Sequence, residues 1–266
     1  MSLLETKDLT VTFGGLNAND RVDISVEEGS FVGLIGPNGA GKTTFIDAIT
    51  GFVPTSKGTA SLDGEDLLAM APFQRARAGL SRTFQSLELF DDLSVYDNLL
   101  VAAEKPTWYS LLADFVIPAR KTGYEEQVEW ALDILELSPY RDANPADLSH
   151  GQRKLVGVAR ALAAQPKLIL LDEPAAGLDT AESRVLGTRL RSFLEHDMTV
   201  FLIDHDMGLV LNVCDYIYVL DFGKIIAHGT PAEIRSDDRV IEAYLGGGSE
   251  DLEDEGQPVA TGGESA

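Results

Sequence analysis

A single cysteine, Cys214, occurs in 266 residues, which excludes an internal disulfide and fits a reducing compartment. Its plain reading is a small buried hydrophobe. No apolar run approaches the roughly 18 residues that a membrane span requires. The opening MSLLETKDLTV lacks a basic region followed by an apolar stretch, so no signal peptide is expected. Positive charge is also scarce: 21 basic residues face 43 acidic ones, for a formal net charge of −22. A field of that sign repels nucleic acid and anionic lipid head groups. The expectation is a soluble cytosolic protein with no nucleic-acid partner, which would reach a membrane only by docking on another protein. After Leu245 basic residues vanish, and GGGSEDLEDEGQPVATGGESA, residues 246–266, reads as a disordered acidic tail.

The remainder, 1–245, has the order of an α/β domain. Leu3 to Thr12, Arg21 to Val26 and Phe31 to Ile35 read as strands separated by turns at FGG and EEG. GPNGAGKT then opens an apolar-periodic helix carrying Phe45, Ile46 and Ile49, closed by Gly51. A short strand from Thr59 to Leu62 ends at the hairpin signal DG. From Gln85 to about Pro166 the pattern turns helical, with Val128, Ala131, Leu132 and Leu135 on one face of the segment from Tyr124 to Leu137. KLILLD and MTVFLID are unbroken apolar runs, as strands buried on both faces should be, and a helix from about Thr180 to Glu195 separates them. DYIYVLDFGKIIAHG reads as two strands joined at Gly223. Alternating strands and helices predict a parallel α/β core. The helical stretch is too long for one crossover and predicts a subdomain inserted at about 86–165.

Gly36 to Thr43 matches G-x-x-x-x-G-K-[ST] in the strand–loop–helix context which that pattern demands. Gly36, Pro37, Asn38, Gly39, Ala40 and Gly41 form a loop whose backbone N–H groups can wrap phosphates, and the helix start at Lys42, Thr43 and Thr44 adds positive potential. Lys42 should reach the β- and γ-phosphates of ATP, and the Thr43 hydroxyl should bind Mg²⁺. Asp172, ending an apolar strand, is placed to hold Mg²⁺ through water, and Glu173 to orient or deprotonate an attacking water. Taken without the upstream loop, that pair could equally cap the next helix. His205 follows another core strand, at the sheet edge where ligands bind in such folds, and is expected to contact the γ-phosphate.

LSHGQRK raises a separate question. Ser149 is a good N-cap, Gly151 is permissive enough to let the chain turn into a helix, and Leu155, Val158, Ala159 and Leu162 keep a helical beat. The chain therefore has a second helix N-terminus suited to an anion, more than a hundred residues after the first.

GPNGAGKT, LSHGQ, LILLDEP, AGLD and DHD occur in the order and spacing of ATP-binding-cassette ATPases, and the resemblance runs to Leu245. TFGGLNA, GLSRTFQSLELF, EPAAGLD, DHDM and VIEAYLG look like the ATPase subunit of branched-chain amino acid importers and their urea- or amide-uptake relatives. The resemblance implies a P-loop NTPase core of ABC-ATPase type with an N-terminal antiparallel β subdomain and an inserted α-helical subdomain. It implies that Phe13 stacks on adenine, that Gln85 touches Mg²⁺ and the attacking water, and that Asp179 lies in the loop communicating between two nucleotide sites. Ser149, Gly151 and Gln152 would belong to a signature that faces the γ-phosphate held by a second cassette, a related chain or another copy. Two multispanning permease subunits would hold the pair at the inner face of the cell membrane, with an extracytoplasmic solute-binding protein acting indirectly. Two positions depart from the pattern: His150 stands where glycine or tyrosine is commoner, and Asp204 where glutamate is. Leu89, Phe90, Trp108, Tyr109, Leu112 and Phe115 would line a groove for a permease helix, although aromatic residues at helical spacing also read as core. A lipopolysaccharide-type exporter cassette and a non-transport cassette share the core motifs. RTFQ, AYLG and the lack of heptads or a basic surface weigh against both.

Overall fold

The structure, a computed structural model, describes residues 2–83, 89–104 and 123–245. Gln85, Trp108, Tyr109, Leu112, Phe115 and the expected tail at 246–266 lie outside the described residues.

The chain begins with β1 (Ser2–Phe13) and β2 (Leu16–Glu27), a hairpin turning at Gly14 and Gly15, and continues through β3 (Phe31–Ile35) into α1 (Lys42–Thr50). A second hairpin, β4 (Lys57–Leu62) and β5 (Glu65–Asp66), leads to α2 (Pro72–Ala78) and the three-residue β6 (Leu80–Arg82). Among the described residues, the α-helices α3 (Val95–Ala103), α4 (Glu125–Ile134) and α5 (His150–Ala163) follow. The chain then alternates through β7 (Leu168–Asp172), α6 (Thr180–Arg191), β8 (Thr199–Ile203), α7 (Met207–Val213) and the hairpin β9 (Tyr216–Asp221) and β10 (Lys224–Gly229). It closes with α8 (Pro231–Arg235) and α9 (Asp238–Leu245).

Two sheets result. One is antiparallel, in the order β2-β1-β4-β5; the other runs β10-β9-β3-β8-β7-β6, parallel throughout except for the β9–β10 hairpin. This is the expected architecture of an ABC-type P-loop core with an antiparallel N-terminal sheet.

The unbroken apolar strands are explained by the two cores. Phe31, Ile35, Ile169, Leu171, Val200 and Leu202 face the cluster built with α3 to α7. Their neighbours Val32, Leu34, Leu168, Leu170, Phe201 and Ile203 face the cluster shared with α1 and the antiparallel sheet. Each strand thus buries both faces, and a polar residue on either one would be desolvated without a partner. Phe45 of α1 meets Phe201 of β8 with ring centroids 6.0 Å apart. Cys214 is buried beside β3: a Cβ on Gly33 would lie 2.9 Å from its Sγ, and burial pushes its thiol pKa up. It is the structural cysteine that the sequence implied.

Two elements carry little sequence signal. α2 buries only Arg75, so it has no apolar period to read, and β6 is too short for alternation to show. The helix expected to run to Glu195 ends at Arg191 and tightens into a 3₁₀ turn over Ser192–His196.

The functional geometry follows from register. Leu34 of β3 pairs with Ile203 of β8, and Asp172 of β7 pairs with the same Ile203. The carboxyl ends of these parallel strands are therefore level, and the loops leaving them share one edge of the sheet. In open α/β sheets that edge is where ligands bind.

Candidate functional site

The first loop at this edge is Gly36–Gly41. Gly36 has φ 152°, and a Cβ there would fall 2.0 Å from the Leu220 carbonyl oxygen; Gly41 has φ 107°, with Cβ 2.4 Å from the Ala18 carbonyl oxygen. Both positions exclude side chains because the loop is pressed between β2 and the β9–β10 hairpin. Gly223 N–H donates to the Ala40 carbonyl and locks that hairpin onto the loop. Gly41 caps α1 with backbone alone, without a side-chain cap and without an acid in the first turn. The helix thus offers N–H groups that no side chain of its own neutralises. Lys42, buried, donates through Nζ to the carbonyls of Gly36 and Pro37. Burial lowers its pKa, while Glu173, Asp204 and Asp172 pull it back up, so all three carboxylates act on the same ammonium.

Those carboxylates stand on the neighbouring loops. Asp172 is buried at the end of β7, and its N–H donates to Thr83 Oγ1. Glu173 takes φ 48°, in the left-handed region that non-glycine residues rarely adopt, and its N–H donates to the Ile203 carbonyl at 2.7 Å. This bend turns the chain out of β7 immediately after Asp172. Neither residue caps α6: its N-cap is Asp179, whose Oδ1 accepts from Glu182 N–H while Glu182 Oε2 accepts from Asp179 N–H. The helix-cap alternative for Asp172 and Glu173 is thereby excluded.

His205, exposed, follows β8 between two anchored aspartates. Asp204 is wholly buried; its Oδ2 accepts from Ala175 N–H and its Oδ1 from Asp206 N–H, and Oδ1 lies 3.6 Å from His205 Nδ1. Burial raises its pKa against the pull of those two N–H groups. Asp206 caps α7 through Leu209 N–H and accepts from Ser183 Oγ of α6 at 2.8 Å. The shorter acid at position 204 is thus the pin between the loops after β7 and β8. Lys154 of α5 is buried as well; burial lowers its pKa, opposed by Asp204 and then Glu173.

Arg82 is the residue that sequence reasoning missed. It is mostly buried, and its Nη2 donates to Asp172 Oδ2 at 2.7 Å while Nη1 donates to Asp47 Oδ1 at 2.6 Å. Arg82 lies within GLSRTFQSLELF, a run that carried the family resemblance, but no role was assigned to Arg82 itself.

The second anion-suited helix start is built differently. Ser149 Oγ accepts from Gln152 N–H, and Gln152 Oε1 accepts from Ser149 N–H, a reciprocal capping box on α5. Gly151 corrects an expectation: it lies inside the first helical turn without a positive φ, so it is not there to turn the chain. Its reason is proximity, since a Cβ would come 3.2 Å from Glu182 Oε1 and 3.7 Å from Leu178. His150 lies over Gly177, where a Cβ would be 3.2 Å from its Nε2. LSHGQ and AGLD are therefore neighbours. Among the described residues, no hydrogen bond or ion pair joins Ser149, His150 or Gly151 to the Gly36–Thr44 loop. Phe13, at the end of β1, is half exposed, and Thr43 is exposed at the start of α1. Asp179 is exposed at the head of α6.

The Thr43 hydroxyl and the Asp172 carboxylate are hard-oxygen groups of the kind Mg²⁺ prefers, and phosphates and water would supply the remaining ligands. Among the described residues no group of three or more His, Cys, Asp or Glu could hold a metal unaided. None of their helices is long and apolar enough to cross a membrane.

Comparison with known proteins gives this geometry its context. Residues 19–176 match the family model described as ABC transporter, and residues 224–250 one described as branched-chain amino acid ATP-binding cassette transporter. The chain is 41% identical over 251 residues to the high-affinity branched-chain amino acid transport ATP-binding protein BraF of Pseudomonas aeruginosa, covering 92% of this chain and 98% of the relative. It is 35% identical over 246 residues to the lipopolysaccharide export system ATP-binding protein LptB of Escherichia coli, again covering 92% and 98%. Among solved structures, the ADP conformation of the ATP-binding cassette MJ1267 superposes with a TM-score of 0.81 at 33% identity, covering 92% of this chain and 99% of that one. With the Gly36–Thr43 loop, Asp172, Glu173 and His205 on one sheet edge and LSHGQ on a separate helix, the chain belongs to the ABC transporter family, as an ATP-hydrolysing cassette.

Proposed function

We propose that the chain is the ATP-hydrolysing subunit powering an importer of branched-chain amino acids or related small polar solutes such as urea or amides. The observation that carries the mechanism is the separation of two anion-suited helix ends. α1 lies at the edge with Asp172, Glu173 and His205, whereas Ser149, His150 and Gly151 at the start of α5 make no hydrogen bond or ion pair to the Gly36–Thr44 loop among the described residues. A second cassette, a related chain or a copy of this one, supplies the phosphate that α5 faces, and receives the same service in return. Bound ATP then has a much larger affinity for the closed pair than for the open one, and hydrolysis releases it.

In this reading Gly36 to Gly41 and the N–H groups of Lys42, Thr43 and Thr44 cradle the phosphates. Lys42 leaves its own loop carbonyls for the β- and γ-phosphates. Thr43, Asp172 and Gln85 hold Mg²⁺, which when bound neutralises charge developing on the phosphate oxygens. Glu173 orients and deprotonates the attacking water, its strained backbone aiming it away from β7. His205, steadied by Asp204, contacts the γ-phosphate. Phe13 stacks on adenine, and Ser149, Gly151 and Gln152 with Asp179 meet the partner cassette. Residues 86–165 act as a helical subdomain, with Leu89 and Phe90 on its permease-facing groove. Two multispanning permeases hold the pair at the inner face of the cell membrane, and a solute-binding protein outside acts through them.

The solute class is supported by the branch-specific match at 224–250 and by the likeness to BraF. The likeness to LptB favours a second reading, an export cassette. Purification from membranes, followed by reconstitution with the co-purifying permeases, separates them. Stimulation of ATP turnover by leucine, isoleucine, valine, urea or short amides supports import. Stimulation only by lipopolysaccharide, or recovery with ribosomes in place of permeases, overturns it.

A further inference from the structure

Arg82 has more carboxylates than one metal site requires. Its guanidinium spans Asp172 on β7 and Asp47 on α1, with side-chain exposures of 10% for Arg82 and 8% for Asp172. Asp172 Oδ2 is occupied by this contact. Asp47 is on the phosphate-loop helix, one turn beyond Thr43, but no candidate role falls to it. An arginine shared between a buried acid and a partly exposed one can release the first and remain paired to the second, because its planar fork offers donors in two directions. A lone acid in that position would instead leave a desolvated cation stranded when the metal arrived.

We propose that Arg82 is a displaceable counter-ion of the magnesium site: a positioning residue that holds the Asp172 carboxylate in place before Mg²⁺–nucleotide loads, then retires onto Asp47. The inference rests on the reading of Asp172 as a metal-holding residue and adds the regulation of that site. Arg82 and the metal compete for the same carboxylate, so the strength of the Asp47 contact sets how readily Asp172 is released. Arg82 ends β6, three residues ahead of Gln85 in the chain, so the exchange occurs at the root of the segment assigned to permease contact. A purely structural clamp makes a different demand, since loss of either partner would then loosen the site in the same direction.

The test is the Mg²⁺ concentration giving half-maximal tightening of ADP binding, measured by calorimetry on the full chain with an EDTA control. Arg82→Gln removes the competitor and lowers that concentration by about fivefold. Asp47→Asn removes the acid onto which Arg82 retires and raises it by about threefold. In the Arg82→Gln background Asp47→Asn loses its effect, because its action runs through Arg82. Arg82→Lys, which keeps the charge but lacks the fork, shifts in the direction of Arg82→Gln by less, and together with Asp47→Asn it decides the matter if Arg82→Gln does not fold. Shifts of the same sign in Arg82→Gln (or Arg82→Lys) and Asp47→Asn, no shift in either, or an undiminished Asp47→Asn effect in the double variant overturn the proposal. Asp172→Asn controls for the underlying reading: if it leaves the wild-type Mg²⁺ dependence unchanged, the assignment of Asp172 fails, whatever Arg82 does.

Discussion

The N-termini of α1 and α5 invite comparison, since both are helix starts suited to an anion and they are finished in opposite ways. α1 is capped by Gly41 with no side chain, beneath a loop whose glycines are held against neighbouring backbone. α5 is capped by Ser149 and Gln152, which satisfy one another's N–H groups. At α1 the orphan amides wait for a ligand that surrounds itself with them. At α5 one amide is already spent on Ser149, and the hydroxyl, accepting from Gln152 N–H, keeps its own proton to donate outward. On the proposed function the first terminus would enclose a phosphate, and the second, self-capped, would touch one. A rigid, self-capped donor surface fits a site completed by another molecule, because the cost of ordering it is met before the partner arrives.

The comparison breaks most sharply at Lys42. Lys42→Ala should weaken ATP binding by about a hundredfold or more, measured by nucleotide titration of the isolated chain, because α1 keeps its amides but loses the cation that the proposed function assigns to the terminal phosphates. Binding within about threefold of wild type would mean that α1 is not the enclosing site. Glu173→Gln should leave that affinity intact, lower turnover by about a hundredfold or more, and hold an ATP-bound pair visible by size-exclusion chromatography. Turnover near the wild-type rate would remove Glu173 from its role.

Gly151→Asp acts on the other terminus. The new carboxylate crowds Glu182 and repels a facing phosphate, so ATP-dependent pairing should weaken by about tenfold while nucleotide binding to the single chain is preserved. If single-chain binding falls equally, the two termini are not separate sites. Ser149→Ala is the mildest change. It should cost about 1 kcal/mol of stability through the lost cap, read by denaturant melting, and weaken pairing less than Gly151→Asp does. A larger effect on single-chain nucleotide affinity than on pairing would reverse the assignment of α5.

Much of this was legible in the chain itself. GPNGAGKT is contiguous and its spacing carries its chemistry, and LILLD and TVFLI announced strands buried on both faces, which they are. Short or polar elements were not legible. α2 buries a single arginine, and β6 spans three residues, so neither offers periodicity to read. Gly151 was misread for a related reason: glycine signals a special backbone or a close neighbour, and the choice between them is made by Glu182, 31 residues further on.

The sequence by itself determined the order of strands and helices and the loops that carry chemistry, because those depend on residues adjacent in the chain. Only the tertiary structure decided which charges meet. Arg82 finds Asp47 and Asp172 at separations of 35 and 90 residues, and Asp204 reaches the amide of Ala175 across 29. The buried members force such pairings: once Arg82, Asp172 and Asp204 are carried to the strand ends away from water, each must find a partner there or raise the free energy of the fold.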